Sequence, residues 1–401
     1  MQLFHERFNL PAPKLQNPLD RQKLRLSFRN ERHLHKRKCD LTGKDIISTY
    51  PAGTLFPVYQ KEAWWSDAWD PLAFGVDFDF KKTFTENFKI LQNKTPRMAL
   101  NAQNVTNSDY ANYCCDAKNC YIVYGSIVVE DCYYGSPYYS KDCVDNTILR
   151  HSELCYECID SEKLYNCDWL QDSENCRDCK YGYDLKNCHD CVFCVGIRGA
   201  SYHIFNKPYS KEEYLVRIKN MDLKKPSSLD FNNFEMLKMR MPRQFMIGAH
   251  NENVVGNYLF HCKNVFESFN AERCEDCAYL GQVMDCKDCQ DVNYMENSEL
   301  CYDSFGFYNN YMVWFCNTAG NGKFMQYCEF CANSKYLFGC ISVKNNEYCI
   351  FNKKYSQLEF EKLQAKIIDH MKETGEYGNY LDKSLVLFKY EDTAANDYFR
   401  K

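Results

Sequence analysis

Cysteine recurs in this chain at an interval close to twelve residues. The first cysteines of successive clusters are Cys120, Cys132, Cys143, Cys155, Cys167, Cys176 and Cys188, spaced by 12, 11, 12, 12, 9 and 12 residues. A second run, Cys262, Cys274, Cys286, Cys301, Cys316, Cys328 and Cys340, is spaced by 12, 12, 15, 15, 12 and 12. A fixed short period marks a solenoid or array, whose repeats bury their apolar sides against one another. Twelve residues are too few for a helical hairpin. They suit one small coil of a β-helix, with short strands and Asn, Asp, Gly or Ser at the corners. The rungs SELCYECIDSEK, SENCRDCKYGYD and LKNCHDCVFCVG share the pattern x-x-[Asn/Asp]-Cys-x-x-[Cys/Ser]. Insect antifreeze β-helices are similar in period and cysteine use, but their flat threonine arrays have no counterpart here.

A longer repeat lies above the short one. Ser152-Glu153-Leu154-Cys155-Tyr156 recurs as Ser298-Glu299-Leu300-Cys301-Tyr302, and Ile204-Phe205-Asn206-Lys207 recurs as Ile350-Phe351-Asn352-Lys353. Each half leads into a helix signal. Ser210 with Glu213 and Ser356 with Glu359 read as capping boxes, and Phe360, Leu363, Ile367 and Met371 form a helical stripe. The expected fold is therefore mainly β: two tandem small-coil, cysteine-laddered β-solenoids, each ended by a capping helix, after a small α+β N-terminal module. The expected boundaries are a basic arm over 1–38, a small module over 39–110 and a first solenoid with its helix over 111–220. A linker over 221–250, a second solenoid with its helix over 251–376 and a tail over 377–401 follow. Phe80, Phe84, Phe88 and Leu91 predict a helix near 80–93 within the small module.

The cysteines admit several chemistries. Cys176, Cys179, Cys188 and Cys191 form two neighbouring C-x-x-C rungs, and Cys274, Cys277, Cys286 and Cys289 form two more. Stacked rungs lie about 4.8 Å apart. Four zinc-bound sulfurs at about 2.3 Å from the metal lie about 3.7 Å from one another, a gap that side-chain rotation closes. Zn2+ is thus one reading. A ladder of buried free thiols is another, because cysteine is small and among the most buried residues. Disulfides fit the rung spacing too. An iron–sulfur centre fits least, since only Cys188, Cys191 and Cys194 match the start of a cluster motif.

Charge is uneven along the chain. Residues 1–38 hold ten Lys/Arg and three Asp/Glu, about +7, against −5 for the whole 401 residues. Arg21, Lys23, Arg25, Arg29, Arg32, Lys36, Arg37 and Lys38 are the candidate phosphate contacts for RNA or a ribonucleoprotein. The opposing reading is an arm packed on the acidic body of the same chain. Trp64 and Trp65 could stack bases, although an apolar core is the simpler use.

No phosphate loop, nucleophile elbow or His-Glu-x-x-His is present, so an enzyme is the less favoured reading. No signal-peptide-like or membrane-spanning apolar run is present either, and a cytoplasmic, membrane-free protein with reduced thiols is expected. A scaffold or binding protein leads. A thiol-based redox or metal-storage protein is the alternative, and a metalloenzyme of unknown reaction comes third.

Cys39-Asp-Leu-Thr-Gly-Lys-Asp-Ile-Ile-Ser48, Trp64-Trp-Ser-Asp-Ala-Trp-Asp70, Ser152-Glu-Leu-Cys-Tyr-Glu-Cys158 and Ile204-Phe-Asn-Lys-Pro-Tyr-Ser210 carry a family resemblance. The chain resembles uncharacterised cysteine-repeat proteins of uncultured small-genome bacteria, along nearly its whole length. The resemblance implies a zinc-ribbon-like N-terminus followed by a cysteine-rich solenoid, and no activity. Relatives place C-x-x-C pairs where this chain has Asn17-Pro18-Leu19-Asp20 and Gln60-Lys61-Glu62-Ala63. Only Cys39 of such a ribbon is left here.

Overall fold

The computed structural model describes residues 17–263, 265–272, 281–283, 293–295 and 310–399. It is mainly β: a β-solenoid of parallel coils about twelve residues apart, with a few helices. The chain divides into two compact units. One spans residues 100–245, and the other joins the residues up to 99 to those from 246 onward.

In the first unit the coil register follows the cysteines. Tyr121 pairs with Tyr133, Tyr133 with Val144, Val144 with Tyr156 and Tyr156 with Asp168. Asp168 pairs with Lys180, Lys180 with Val192, and Val192 with Ile204. One coil is a residue short, and there the pairing shifts between Ser136 and Pro137.

Within a coil the backbone turns at every third residue. Asn175, Asp178, Tyr181, Asp184, Asn187 and Asp190 have φ between 52° and 54°. An L-residue in this left-handed region costs about 1–2 kcal/mol, least for Asn and Asp, which dominate these corners. Where aromatic residues take the corner, stacking offsets the strain. Trp169, Tyr181, Phe193 and Phe205 stack at 4.5, 4.7 and 5.0 Å with interplanar angles of 6°, 12° and 5°. Each corner is followed by an inward residue: Cys176, Cys179, Gly182, Leu185, Cys188 and Cys191. Gly182 has no room for more, since a Cβ there would lie 2.5 Å from Leu185 Cδ1.

The inward residue's N–H also points into the coil and needs an acceptor. The side chain one coil earlier supplies it. Ser108 Oγ accepts from Cys120 N–H at 2.9 Å, and Asn146 Oδ1 accepts from Cys158 N–H at 2.7 Å. Ser152 Oγ accepts from Leu164 N–H at 3.0 Å, and Ser173 Oγ from Leu185 N–H at 3.2 Å. Cys194 Sγ does the same for Asn206 N–H at 3.4 Å. The inner wall therefore favours small side chains that accept a hydrogen bond, which explains why Ser, Asn and Cys share it.

The unit's last coil folds back, Ser201–Ile204 pairing antiparallel with Lys207–Pro208. The helix Lys211–Lys219 follows, with the expected Ser210–Glu213 capping box and Tyr214 buried. The expected linker is not without structure. It contains the helix Ser228–Arg240, started by a Ser227–Asp230 capping box. Phe234 of this helix packs against Phe193, with ring centroids 5.7 Å apart.

In the second unit, parallel pairing runs from Gly248–Ala249 through Val255–Phe260, Phe266–Glu272 and Gly281–Val283 to Asn293–Met295. It also joins Tyr311–Trp314, Lys323–Gln326, Lys335–Phe338 and Glu347–Ile350, closed by antiparallel Lys353–Lys354. The helix Gln357–Glu373 follows with its Ser356–Glu359 capping box, and Phe360, Ile367 and Met371 are buried.

The N-terminal residues of this unit do not form a module apart. The helix expected near 80–93 is Phe84–Gln92, capped by Thr83 and Glu86. Phe84 packs on the coil side chains Tyr327 and Phe351, with centroids 5.0 and 5.4 Å away. Arg97 donates to Glu329 at 2.8 Å, both side chains being 1% exposed. Ser342 Oγ donates to the Pro96 carbonyl at 2.8 Å. Among the described residues, no helix is long and apolar enough to cross a membrane.

Candidate functional site

The thiols of the first unit form walls. The residues paired in register above each follow a cysteine, so Cys120, Cys132, Cys143, Cys155, Cys167, Cys179 and Cys191 occupy one wall in seven successive coils. All seven are buried. Ser108 stands one coil before Cys120, and His203 one coil after Cys191. Cys176 and Cys188 lie on a different wall, below Leu164. The sequence pattern joined Cys167 to Cys176. The structure continues the wall from Cys167 to Cys179, and the nine-residue step marks a move to another side of the coil.

Most inward thiols of this unit have two backbone carbonyls within hydrogen-bond reach of their single S–H. Cys176 Sγ reaches the Glu174 carbonyl at 3.3 Å and the Leu185 carbonyl at 3.6 Å. Cys179 repeats this to Arg177 at 3.3 Å and Cys188 at 3.7 Å. Among the described residues the cysteines are free thiols, and all but Cys115 are buried. Burial pushes the Cys114 thiol up to about 12. The hydrogen bond with the Cys132 thiol, then burial, raises Cys120 further. At Cys114 and Cys120 the thiolate form that a nucleophile needs is thus disfavoured.

The structure brings the first expected zinc set together. Hydrogen bonds from Cys179 and Cys188 pull the Cys176 thiol down, and those from Cys179, Cys188 and Cys194 pull Cys191 down. Cys179 and Cys188 are raised, by their thiol neighbours first and then by burial. Among the described residues, no group of three or more His, Cys, Asp or Glu side chains is arranged to hold a metal ion. The second expected set, Cys274, Cys277, Cys286 and Cys289, lies outside the described residues.

The basic segment is only partly a surface. Arg21, Arg25 and Arg29 are buried, at 3%, 1% and 2% exposure. They sit in or just after the helix Pro18–Ser27. Leu26 of that helix shares a core with Ala394 and Ala395, and Ala394 N–H donates to the Arg29 carbonyl at 2.8 Å. Arg29 Nε donates to Glu31 Oε1 at 2.5 Å. Arg37 is held by Asp40 at 2.8 Å, the Pro51 carbonyl at 2.9 Å and Thr54 Oγ1 at 3.0 Å. Lys23, Arg32, Lys36 and Lys38 are exposed. Burial keeps the Arg21, Arg25 and Arg29 guanidinium groups away from the surface, where these other expected contacts stand. Trp64 is buried as well, under the Lys344 ammonium 5.1 Å from its ring.

Cys39, the cysteine left of the ribbon that the resemblance implies, is buried. It begins the turn between antiparallel His35–Lys38 and Asp45–Ser48, and Gln60 N–H donates to its Sγ at 3.3 Å. Burial alone would raise this thiol. Hydrogen bonds from the Thr42 side chain and from the Gln60, Thr42 and Leu41 backbone outweigh burial and hold it below the ordinary range.

No family model matches the chain. No curated protein matches it either. Among solved structures, a putative acetyltransferase from Desulfovibrio desulfuricans aligns over 68% of this chain and 82% of its own, at 9% identity and a TM-score of 0.14. The UDP-N-acetylglucosamine O-acyltransferase of Moraxella catarrhalis aligns over 73% and 93%, at 10% identity and a TM-score of 0.10. Similarity this low carries no argument about fold or activity.

Proposed function

We propose that this protein is a non-enzymatic scaffold or binding protein, built of two tandem solenoid halves that are each closed by a capping helix. Its thiols are the packing of its coils, and its outward coil faces and exposed cations are its working surface. The observation that carries this reading is the way each thiol is used. On the inner walls it is buried, has backbone carbonyls as its hydrogen-bond acceptors and stands in places that Ser and Asn fill elsewhere on the same walls. The tandem arrangement is supported by matched endings. Asn206 and Asn352, and the capping boxes at Ser210 and Ser356, recur with the same bonds.

The test is a thiol count with elemental analysis on protein purified without added metal. The scaffold reading expects 25 reduced thiols. They should be labelled slowly until the protein is unfolded, with no stoichiometric metal. Fast labelling of the native protein would favour a redox role instead. About two zinc ions per chain, with about eight thiols released by a chelator, would favour Zn2+ at both C-x-x-C sets.

Lys23, Arg32, Lys36 and Lys38 are the surface for RNA or a ribonucleoprotein in this reading. Four phosphate contacts would give a shallower salt dependence than the eight expected from sequence.

A further inference from the structure

The wall from Cys120 to Cys191 places seven thiols in consecutive coils, with six gaps between them. Neighbouring coils lie about 4.8 Å apart. A metal–sulfur bond of about 2.3 Å gives a linear S–M–S unit about 4.6 Å long, while tetrahedral zinc draws its sulfurs to about 3.7 Å. With the side chains in register the wall matches a two-coordinate ion directly, whereas tetrahedral zinc would need the side chains to rotate toward one another. Soft thiolates bind Cu(I) as well as zinc, so the coordination geometry and charge decide between them.

Charge points the same way. Zinc held by four thiolates buries two negative charges, which is costly in an apolar coil. A monovalent ion that replaces a thiol proton adds none. We propose that the Cys120–Cys191 wall binds soft monovalent metal ions, Cu(I) or its analogue Ag(I), as a chain of thiolate-bridged, two-coordinate centres. In each step one S–H bond breaks and one S–M bond forms. The proton leaves to solvent, and the neighbouring sulfur donates a lone pair to the same ion. No electron is transferred. His203, half-buried one coil beyond Cys191, gives the wall an end less enclosed than Ser108 at the other. This inference goes beyond the scaffold reading, and its failure leaves that reading standing.

The full chain would be titrated with silver(I) in chloride-free buffer, following ultraviolet charge-transfer absorption, proton release and circular dichroism. The expected result is about one proton released per ion bound, with the β signal retained. Cys155→Ser removes a bridging sulfur from the middle of the wall and should lower the stoichiometry by about two ions. Cys39→Ser, outside the wall, should lower it by one at most. Loss of the β signal on binding would overturn the proposal, as would a Cys155→Ser loss no larger than that of Cys39→Ser. If Cys155→Ser does not fold, Cys143→Ser serves, because it also stands between two thiols of the wall.

Discussion

Asn206 grips Val195 by both of its backbone groups: Oδ1 accepts the Val195 N–H at 2.8 Å, and Nδ2 donates to the Val195 carbonyl at 2.8 Å. Asn352 treats Ile341 identically, at 2.8 Å for each bond, and adds the Pro71 carbonyl at 3.1 Å. In both places an amide side chain imitates the strand that a further coil would have offered. Both asparagines also adopt the left-handed conformation that Asn tolerates, with φ of 61° and 62°. Replacing Asn352 by Ala should cost about 2–4 kcal/mol, because it leaves an N–H and carbonyls without partners in a buried place. Asn206→Ala should cost less, being less enclosed. Urea denaturation of each variant checks the order, and an equal, negligible loss at both sites would reject it.

The Arg97–Glu329 pair makes a second prediction. Burial raises the Glu329 carboxyl, with Arg97 opposing the shift. Arg97→Met alone should destabilise by about 3–5 kcal/mol, since it strands a buried carboxyl. Arg97→Met with Glu329→Met should recover most of that loss. Thermal unfolding of the two single variants and the double variant measures the coupling. Simple additivity would contradict it.

Asp160 and Asp172 sit at corresponding corners one coil apart, with φ of 47° and 55°. Burial first, then the Asp172 charge, push Asp160 up to about 6, with Arg150 opposing. Its unfolded value is about 3.9. A raised folded value means stability that is present below about pH 3.9 and is lost as pH rises through about 6. Asp160→Asn, which suits the same corner, should raise the melting temperature at pH about 7.5 and change it little at pH about 4. A rise of equal size at both pH values would show that charge is not the cause.

The basic segment divides into two kinds of cation, which mutation should separate. Lys36→Ala with Lys38→Ala should leave stability unchanged and weaken binding to single-stranded RNA. The slope of log affinity against log salt should fall by about 1.4 for the pair. Arg25→Ala should instead destabilise the fold, because its side chain is buried. RNA affinity that ignores both lysines would remove this segment from the binding surface.

The coil length, the capping boxes and the Phe84–Gln92 helix were legible because each depends on residues a few places apart. The wall assignment was not. Ser152, Leu164 and Ala200 share a wall with Cys176 and Cys188, so following cysteines alone loses the thread between Cys167 and Cys179. The triplet rhythm of corners, visible as Asn175, Asp178, Asp184, Asn187 and Asp190, is the signal that would have held it. The burial of Arg21, Arg25 and Arg29 could not be read locally. Part of what encloses that segment comes from residues near 394, more than 360 positions away. The helix Ser228–Arg240 was written in Ser227 and Asp230, but exposed Leu229, Met236 and Met239 blur the stripe that Phe231, Phe234 and Leu237 form.

A coil counted in threes behaves like a dial. Three residues added or removed would keep every corner and turn all that follows by one side. Only a whole coil returns each wall to its place. The step from Cys167 to Cys176 stops one notch short of a full turn, while Cys167 to Cys179 completes it. Descendants of such a chain would lengthen by whole turns and re-aim their inner chemistry by single notches, two kinds of change that leave different marks in the sequence.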